Sequence, residues 1–191
     1  MLNLNLIDLY NGFVKNYENL SLNRSSQYEE ITTKENKFFI TLCKFLGYNI
    51  NYKRGETEDK RVIINFKYDY KECKYNKDID FIRETDMAND LFAVQKLSSE
   101  LRFNNNAIIC ILETFSDNRI DYLNNIILSS PNSIKNDLLL VYVIRDILSG
   151  VNYHHCYLLN ESGISKSFVV KIKGNRNNIL SASYMDEWRL N

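Results

Sequence analysis

Two short apolar runs decide how this chain folds: Ala107-Ile108-Ile109-Cys110-Ile111-Leu112 and Leu138-Leu139-Leu140-Val141-Tyr142-Val143-Ile144. Neither alternates apolar with polar residues, and both fall well short of a membrane span. Each therefore reads as a strand covered on both faces, in the middle of a sheet with helices on either side. Between them Asp117 offers an N-cap to a helix carrying Ile120, Leu123, Ile126 and Ile127, which Pro131 ends. Upstream, Val62, Ile63, Ile64 and Phe66 mark a strand, and a second extended segment is predicted from Tyr70 to Tyr75. Thr85 then caps a predicted helix over 86–102 with Met87, Leu91, Val94, Leu97 and Leu101 on one face. Strand, helix, strand, helix, strand is the order of a three-layer α/β fold whose mixed sheet, flanked by helices, is at least partly parallel. Residues 155–159 and 166–172, joined around Asn160–Gly163, read as a hairpin at the sheet edge.

Working outward to the N-terminus, Leu6, Leu9, Tyr10, Phe13, Val14, Tyr17 and Leu20 follow a helical period over 4–20. Ser26 and Glu29 form a capping-box pattern ahead of a second helix over 27–46, which carries Ile31, Phe38, Phe39, Leu42 and Leu46 and stops at Gly47. The expected organisation is a single domain, with residues 1–22 a helical appendage and 27–190 the core. The apolar face of the appendage is expected to dock a protein partner.

With 191 residues, 45% of them hydrophobic and 25% charged, the chain matches a globular domain rather than a disordered or coiled-coil protein. Its 24 basic and 24 acidic residues cancel, which argues against a protein that coats nucleic acid or anionic membrane by bulk attraction. Cys43, Cys73, Cys110 and Cys156 are too widely spaced for a zinc site or a small disulfide scaffold. Asn and Asp interrupt the first apolar residues and no basic lead-in precedes them, so no signal peptide is read there. A reduced, cytoplasmic protein without a membrane segment is expected.

Glu35 is the first chemical anomaly. On a helical wheel it falls among Ile31, Phe38 and Leu42, in the middle of the apolar face. A carboxylate placed there must be paired, protonated or bound to a cation, because an unpaired buried charge costs several kcal/mol. Two readings follow: a salt bridge to a lysine of the adjacent strand, or a role in a site. The second anomaly is Glu72-Cys73-Lys74, where a strand would project Glu72 and Lys74 to one face. If this segment pairs with the preceding strand as a hairpin, Asp59 and Glu72 come close enough to hold a divalent cation through oxygen ligands. A solvated turn of mixed charge is the other reading of Glu56-Thr57-Glu58-Asp59-Lys60-Arg61.

Asp59, Glu72-Cys73-Lys74 and Glu35 together resemble the PD-(D/E)xK, or restriction-endonuclease-like, nuclease superfamily. The resemblance extends to small bacterial members with an ExKY strand, an Arg-x-x-Asp helix and a C-terminal Tyr-x-x-x-Trp, here Tyr75, Arg83 with Asp86 and Asp90, and Tyr184 with Trp188. It implies metal-dependent hydrolysis of phosphodiester bonds, DNA before RNA, in bacterial restriction or defence. Asp59 and Glu72 would hold Mg²⁺ or Mn²⁺, Lys74 would position water or offset phosphoryl charge, and Glu35 would bind a second metal or orient a water. Glu58 stands where the family has proline before the acid. In an alternative register Asn65-Phe66-Lys67 is the motif strand, one metal ligand is missing, and the chain is an inactive subunit or adaptor of the same fold.

Weaker candidates complete the list. Asp90 and Gln95 flank the apolar stripe of their helix, where Asp90 also suits the helix dipole, and Glu113 ends a central strand. In His154-His155-Cys156 only the outer two share a strand face. Lys166, Lys171, Lys173 and Arg176 have no acid among them and form a candidate phosphate-contacting rim; an edge strand protected by lysines is the alternative.

Overall fold

The structure, a computed structural model, describes residues 5–54, 61–68, 78–101, 106–129, 134 and 136–185. Two helices open the chain, α1 (Leu6–Lys15) and α2 (Tyr28–Phe45), with a 3-10 turn at Tyr17–Leu20 between them. Strands β1 (Tyr48–Arg54), β2 (Arg61–Tyr68) and β3 (Ile79–Glu84) follow, then α3 (Asp90–Leu101), β4 (Ala107–Glu113), α4 (Asp117–Leu128) and β5 (Leu138–Asp146). The chain closes with β6 (Val151–Asn160), β7 (Gly163–Gly174) and β8 (Leu180–Tyr184).

All eight strands lie side by side in chain order in one mixed sheet. β1, β2 and β3 form an antiparallel meander, β3, β4 and β5 are parallel, and β5 to β8 are antiparallel again. The parallel steps fall where α3 and α4 intervene, because parallel neighbours need a crossover. The expected α/β class and the mixed sheet between helices are therefore present. The layers are legible in the core: Leu9, Tyr10, Phe13 and Phe39 of α1 and α2 pack with Phe81, Ile109, Val141 and Phe168. On the opposite face Val94, Leu97, Leu123 and Ile127 of α3 and α4 pack with Ile82, Cys110, Leu112 and Leu140. Both apolar runs are indeed central strands, every residue of β4 being buried.

The N-terminal helix corrects the expectation placed on it. It is no appendage: Leu6, Leu9, Tyr10, Phe13 and Val14 are buried in the same core as the central strands. Its apolar face is covered by this chain and is closed to a partner. Tyr17 continues that packing from the 3-10 turn. The connector after it also joins the sheet, since Asn23 bridges Ile179 and Leu180 donates its N–H to the Leu22 carbonyl at 2.8 Å.

Two further strands departed from the sequence pattern. β1 follows Gly47, whose φ of 90° suits the sharp exit from α2. β3 pairs with β2 in the meander, and Arg83 lies on it rather than on the expected Arg-x-x-Asp helix. The predicted segment 70–75 lies outside the described residues.

Candidate functional site

The C-terminal ends of β3, β4 and β5 bring Arg83, Glu113 and Arg145 onto the sheet face that α1 and α2 cover. Period-two alternation places them there: Arg83 follows Phe81, Glu113 follows Ile111 and Arg145 follows Val143, all on one face. α2 contributes Glu35 from its buried stripe of Ile31, Glu35, Phe39 and Cys43. The result is a row of alternating charge. Arg83 Nη1 donates to Glu35 Oε2 at 2.6 Å, Arg83 Nη2 lies 4.0 Å from Glu113 Oε1, and Arg145 Nη2 donates to Glu113 Oε1 at 3.0 Å. Two tyrosines close it. Tyr17 Oη donates to Glu35 Oε1 and Tyr28 Oη to Glu113 Oε1, each at 2.6 Å, and the Arg145 guanidinium lies 4.1 Å above the Tyr28 ring.

Electrostatics follow from this geometry. Burial pushes the Glu35 carboxyl up, but Arg83, with help from His154 and Tyr17, outweighs it and holds the group below its ordinary value, so it is ionised. Burial and then the Glu113 charge push Tyr28 up to about 12, so it is a neutral donor. Beside the row, His154 accepts from or donates to Tyr10 Oη at 2.6 Å through Nδ1. Burial takes its pKa down to about 4, which leaves it neutral at pH 7.

Glu35 is thus the buried, charged residue that the helical wheel singled out, but its partner is an arginine of β3 rather than a lysine. Both of its oxygens are engaged, one by a cation, and this does not suit it to serve as a ligand of Mg²⁺ or Mn²⁺. Glu113 is likewise held by Arg145 and Tyr28. Among the described residues no group of three or more His, Cys, Asp and Glu side chains could hold a metal ion. Asp59, Glu72 and Lys74 lie outside the described residues, as do Cys73, Tyr75 and Trp188.

The remaining candidates disperse. Asn65 and Lys67, the alternative motif, sit on the sheet face away from Glu35, since Phe66 between them belongs to the α1–α2 core. Asn65 Nδ2 donates to Asp80 Oδ1 at 2.7 Å. Asp90 accepts from Thr114 Oγ1 at 2.7 Å and from Arg119 Nε and Nη2 at 2.6 and 2.7 Å, while Gln95 is exposed. His155 Nε2 lies 3.2 Å from Asp117 Oδ1 on the face opposite His154. Lys171 and Lys173 share one sheet face. Lys166, paired with Leu158, lies on the other, and Arg176 is in the turn before β8.

Arg145, Tyr17 and Tyr28 are not singled out as site residues by the sequence pattern, and Arg83 is singled out for a helix motif rather than for a buried strand. The available signal for Arg83 is its place directly after Ile79, Phe81 and Ile82, a pattern that marks a buried strand only once its polar members have partners.

No protein-family profile matches this chain, and no curated protein does. Among solved structures it is similar to the central domain of yeast acetyl-CoA carboxylase, with a TM-score of 0.45 and 10% identity over 81% of this chain. The match covers 26% of that solved chain, and a likeness at this level assigns neither a fold family nor an activity.

Proposed function

We propose that this chain is a restriction-endonuclease-like domain that acts by binding, as a catalytically silent subunit or adaptor of a larger assembly. One observation carries the reading: Glu35, the carboxylate that a metal-dependent site in this fold would draw from the helix, is neutralised by Arg83 and capped by Tyr17. On the same face β2 and β3 offer Ile64, Phe66 and Phe81, side chains without an oxygen ligand for Mg²⁺. The α/β order of the described elements, with α2, the meander β1–β3, α3 and a β4 parallel to β3, is what supports the fold part of this reading. The setting of bacterial restriction or defence rests on the resemblance alone.

The experiment is incubation of the purified protein with plasmid and single-stranded DNA in Mg²⁺ or Mn²⁺, beside Glu72→Ala and Lys74→Ala variants. No cleavage by the parent is the expected result. Cleavage that disappears in both variants would overturn the reading and restore a metal-dependent endonuclease built on Asp59, Glu72 and Lys74.

A further inference from the structure

We propose that the open face of β6–β8 is a binding platform for single-stranded RNA. The inference concerns a surface separate from the Glu35 row and holds whether or not the chain cuts nucleic acid.

The surface arises from the way the helices are distributed. On the α3–α4 side the two helices pack over β3 to β5 and reach Tyr157 and Leu159 of β6, and His155 and Val169 of the same face are buried, while the rest of that face on β6, β7 and β8 carries Tyr153, Lys171, Lys173, Ser167, Ser181 and Ser183, all partly or fully exposed. Strand register fixes their arrangement. Tyr153 pairs with Lys171 and Lys171 with Ser183, which makes one row across three strands, and Lys173 with Ser181 makes the next. Lys171 Nζ rests 5.7 Å from the Tyr153 ring centroid, so an aromatic face and a cation are already adjacent. The two lysines stand about 7 Å apart along the strand, a separation suited to successive phosphates of an extended strand.

Charge selects the occupant. From position 151 to the end of the sequence there are five basic residues, Lys166, Lys171, Lys173, Arg176 and Arg189, against three acidic ones, Glu161, Asp186 and Glu187, and of the basic residues Lys171 and Lys173 stand on this face while Lys166 is on the other. The neutral total therefore conceals a local basic excess that suits a polyanion. The border toward α4 is acidic, with Asp117 beside His155 and Asp121 acting on Tyr157. A rigid duplex laid across the face would meet those carboxylates, whereas a single strand can follow β7 and β8 and stack a base on Tyr153. Ser167, Ser181 and Ser183 add hydroxyls along that track, partners for the ribose 2′-OH that DNA lacks.

The test is fluorescence anisotropy with labelled U15, using dT15, a 15-base-pair DNA duplex and poly-glutamate as competitors. The parent is expected to bind U15 in preference to all three. Lys171→Glu/Lys173→Glu should weaken binding by about tenfold or more and flatten the salt dependence by about 1.4 in log–log slope. Tyr153→Ala should weaken binding by about fivefold or more, Tyr153→Phe should restore it, and Lys37→Glu on α2 should leave it unchanged. Superimposable thermal melts establish that the variants are folded. Absence of U15 binding, or binding unaffected by the double lysine change, overturns the proposal. Tighter binding of the duplex or of poly-glutamate overturns it in favour of a different partner, and equal binding of dT15 overturns the choice of RNA. Cleavage and binding are read at different sites, so failure of either assay leaves the other conclusion standing.

Discussion

Arg83 and Glu35 meet at 2.6 Å with neither side chain more than 2% exposed, an ion pair that locks a helix to a strand 48 residues away. Such a pair stabilises little relative to well-packed apolar residues, but removing one partner leaves an uncompensated buried charge. Arg83→Met should cost about 3–5 kcal/mol in urea denaturation at pH 7. Glu35→Gln in the same chain should recover much of that loss.

The pH dependence gives a second check on this pair. In the parent the Glu35 carboxyl sits below its ordinary 4.5, so its contribution is present above that value and is lost as pH falls through the lowered one. In Arg83→Met burial acts without its main opponent and the carboxyl moves up. Protonation then relieves the buried charge, and the deficit against the parent should shrink as denaturation is repeated from pH 7 toward acid. A deficit that stays constant would show that packing, not charge, is what Arg83 supplies.

His154 predicts acid sensitivity of the same sign in a higher pH window. Burial lowers its pKa from 6.5 to about 4, so the unfolded chain takes up a proton in this window before the folded one does. Stability should therefore rise with pH between about 4 and 6.5, and this residue accounts for about 3 kcal/mol of the change, as an order of magnitude. His154→Gln keeps a partner for Tyr10 and should flatten that part of the stability profile.

The first helix is tested by removal. Phe13 is fully buried, stacked on Phe39 with centroids 4.8 Å apart and edge-on to Tyr17 at 5.2 Å. Phe13→Ala should cost about 3–5 kcal/mol. A chain starting at Ser21 loses that cluster and bares His154 and Phe168. It should show no cooperative thermal transition and should bind a hydrophobic dye.

These results separate what periodicity can reveal from what it cannot. β4 and β5 announced themselves because strands covered on both faces are apolar throughout, and α2 because its stripe is regular enough to make Glu35 stand out. β3 stayed hidden because Asp80, Arg83 and Glu84 are as buried as Ile79, Phe81 and Ile82. Each has a polar partner, Asn65, Glu35 and Arg61 respectively, from distant sequence. Hydrophobicity measures the cost of burying such residues alone, not in pairs. The wheel could therefore place Glu35 in the interior, yet its partner lay on the strand that the pattern concealed. The apolar face of α1 was visible for the same reason as that of α2, but periodicity says that a face is covered, never by what.

Asp90 joins the starts of α3 and α4 and supplies the last prediction. It is 1% exposed and holds buried Thr114 through one hydrogen bond and half-exposed Arg119 through two. Burial pushes its carboxyl up, but the Arg119 and Thr114 hydrogen bonds prevail and hold it below 3.8. Asp90→Asn keeps the shape and gives up the charge, so it should cost about 1.5–3 kcal/mol at pH 7. The parent loses the same interaction once its carboxyl protonates, and the gap between the two should close as pH falls through the lowered value. Thr114→Val in both backgrounds completes a double-mutant cycle, for which a coupling of about 0.5 kcal/mol or more is expected. A coupling near zero would mean that Thr114 and Asp90 are neighbours without mutual support, and that Arg119 alone holds the two helix starts together.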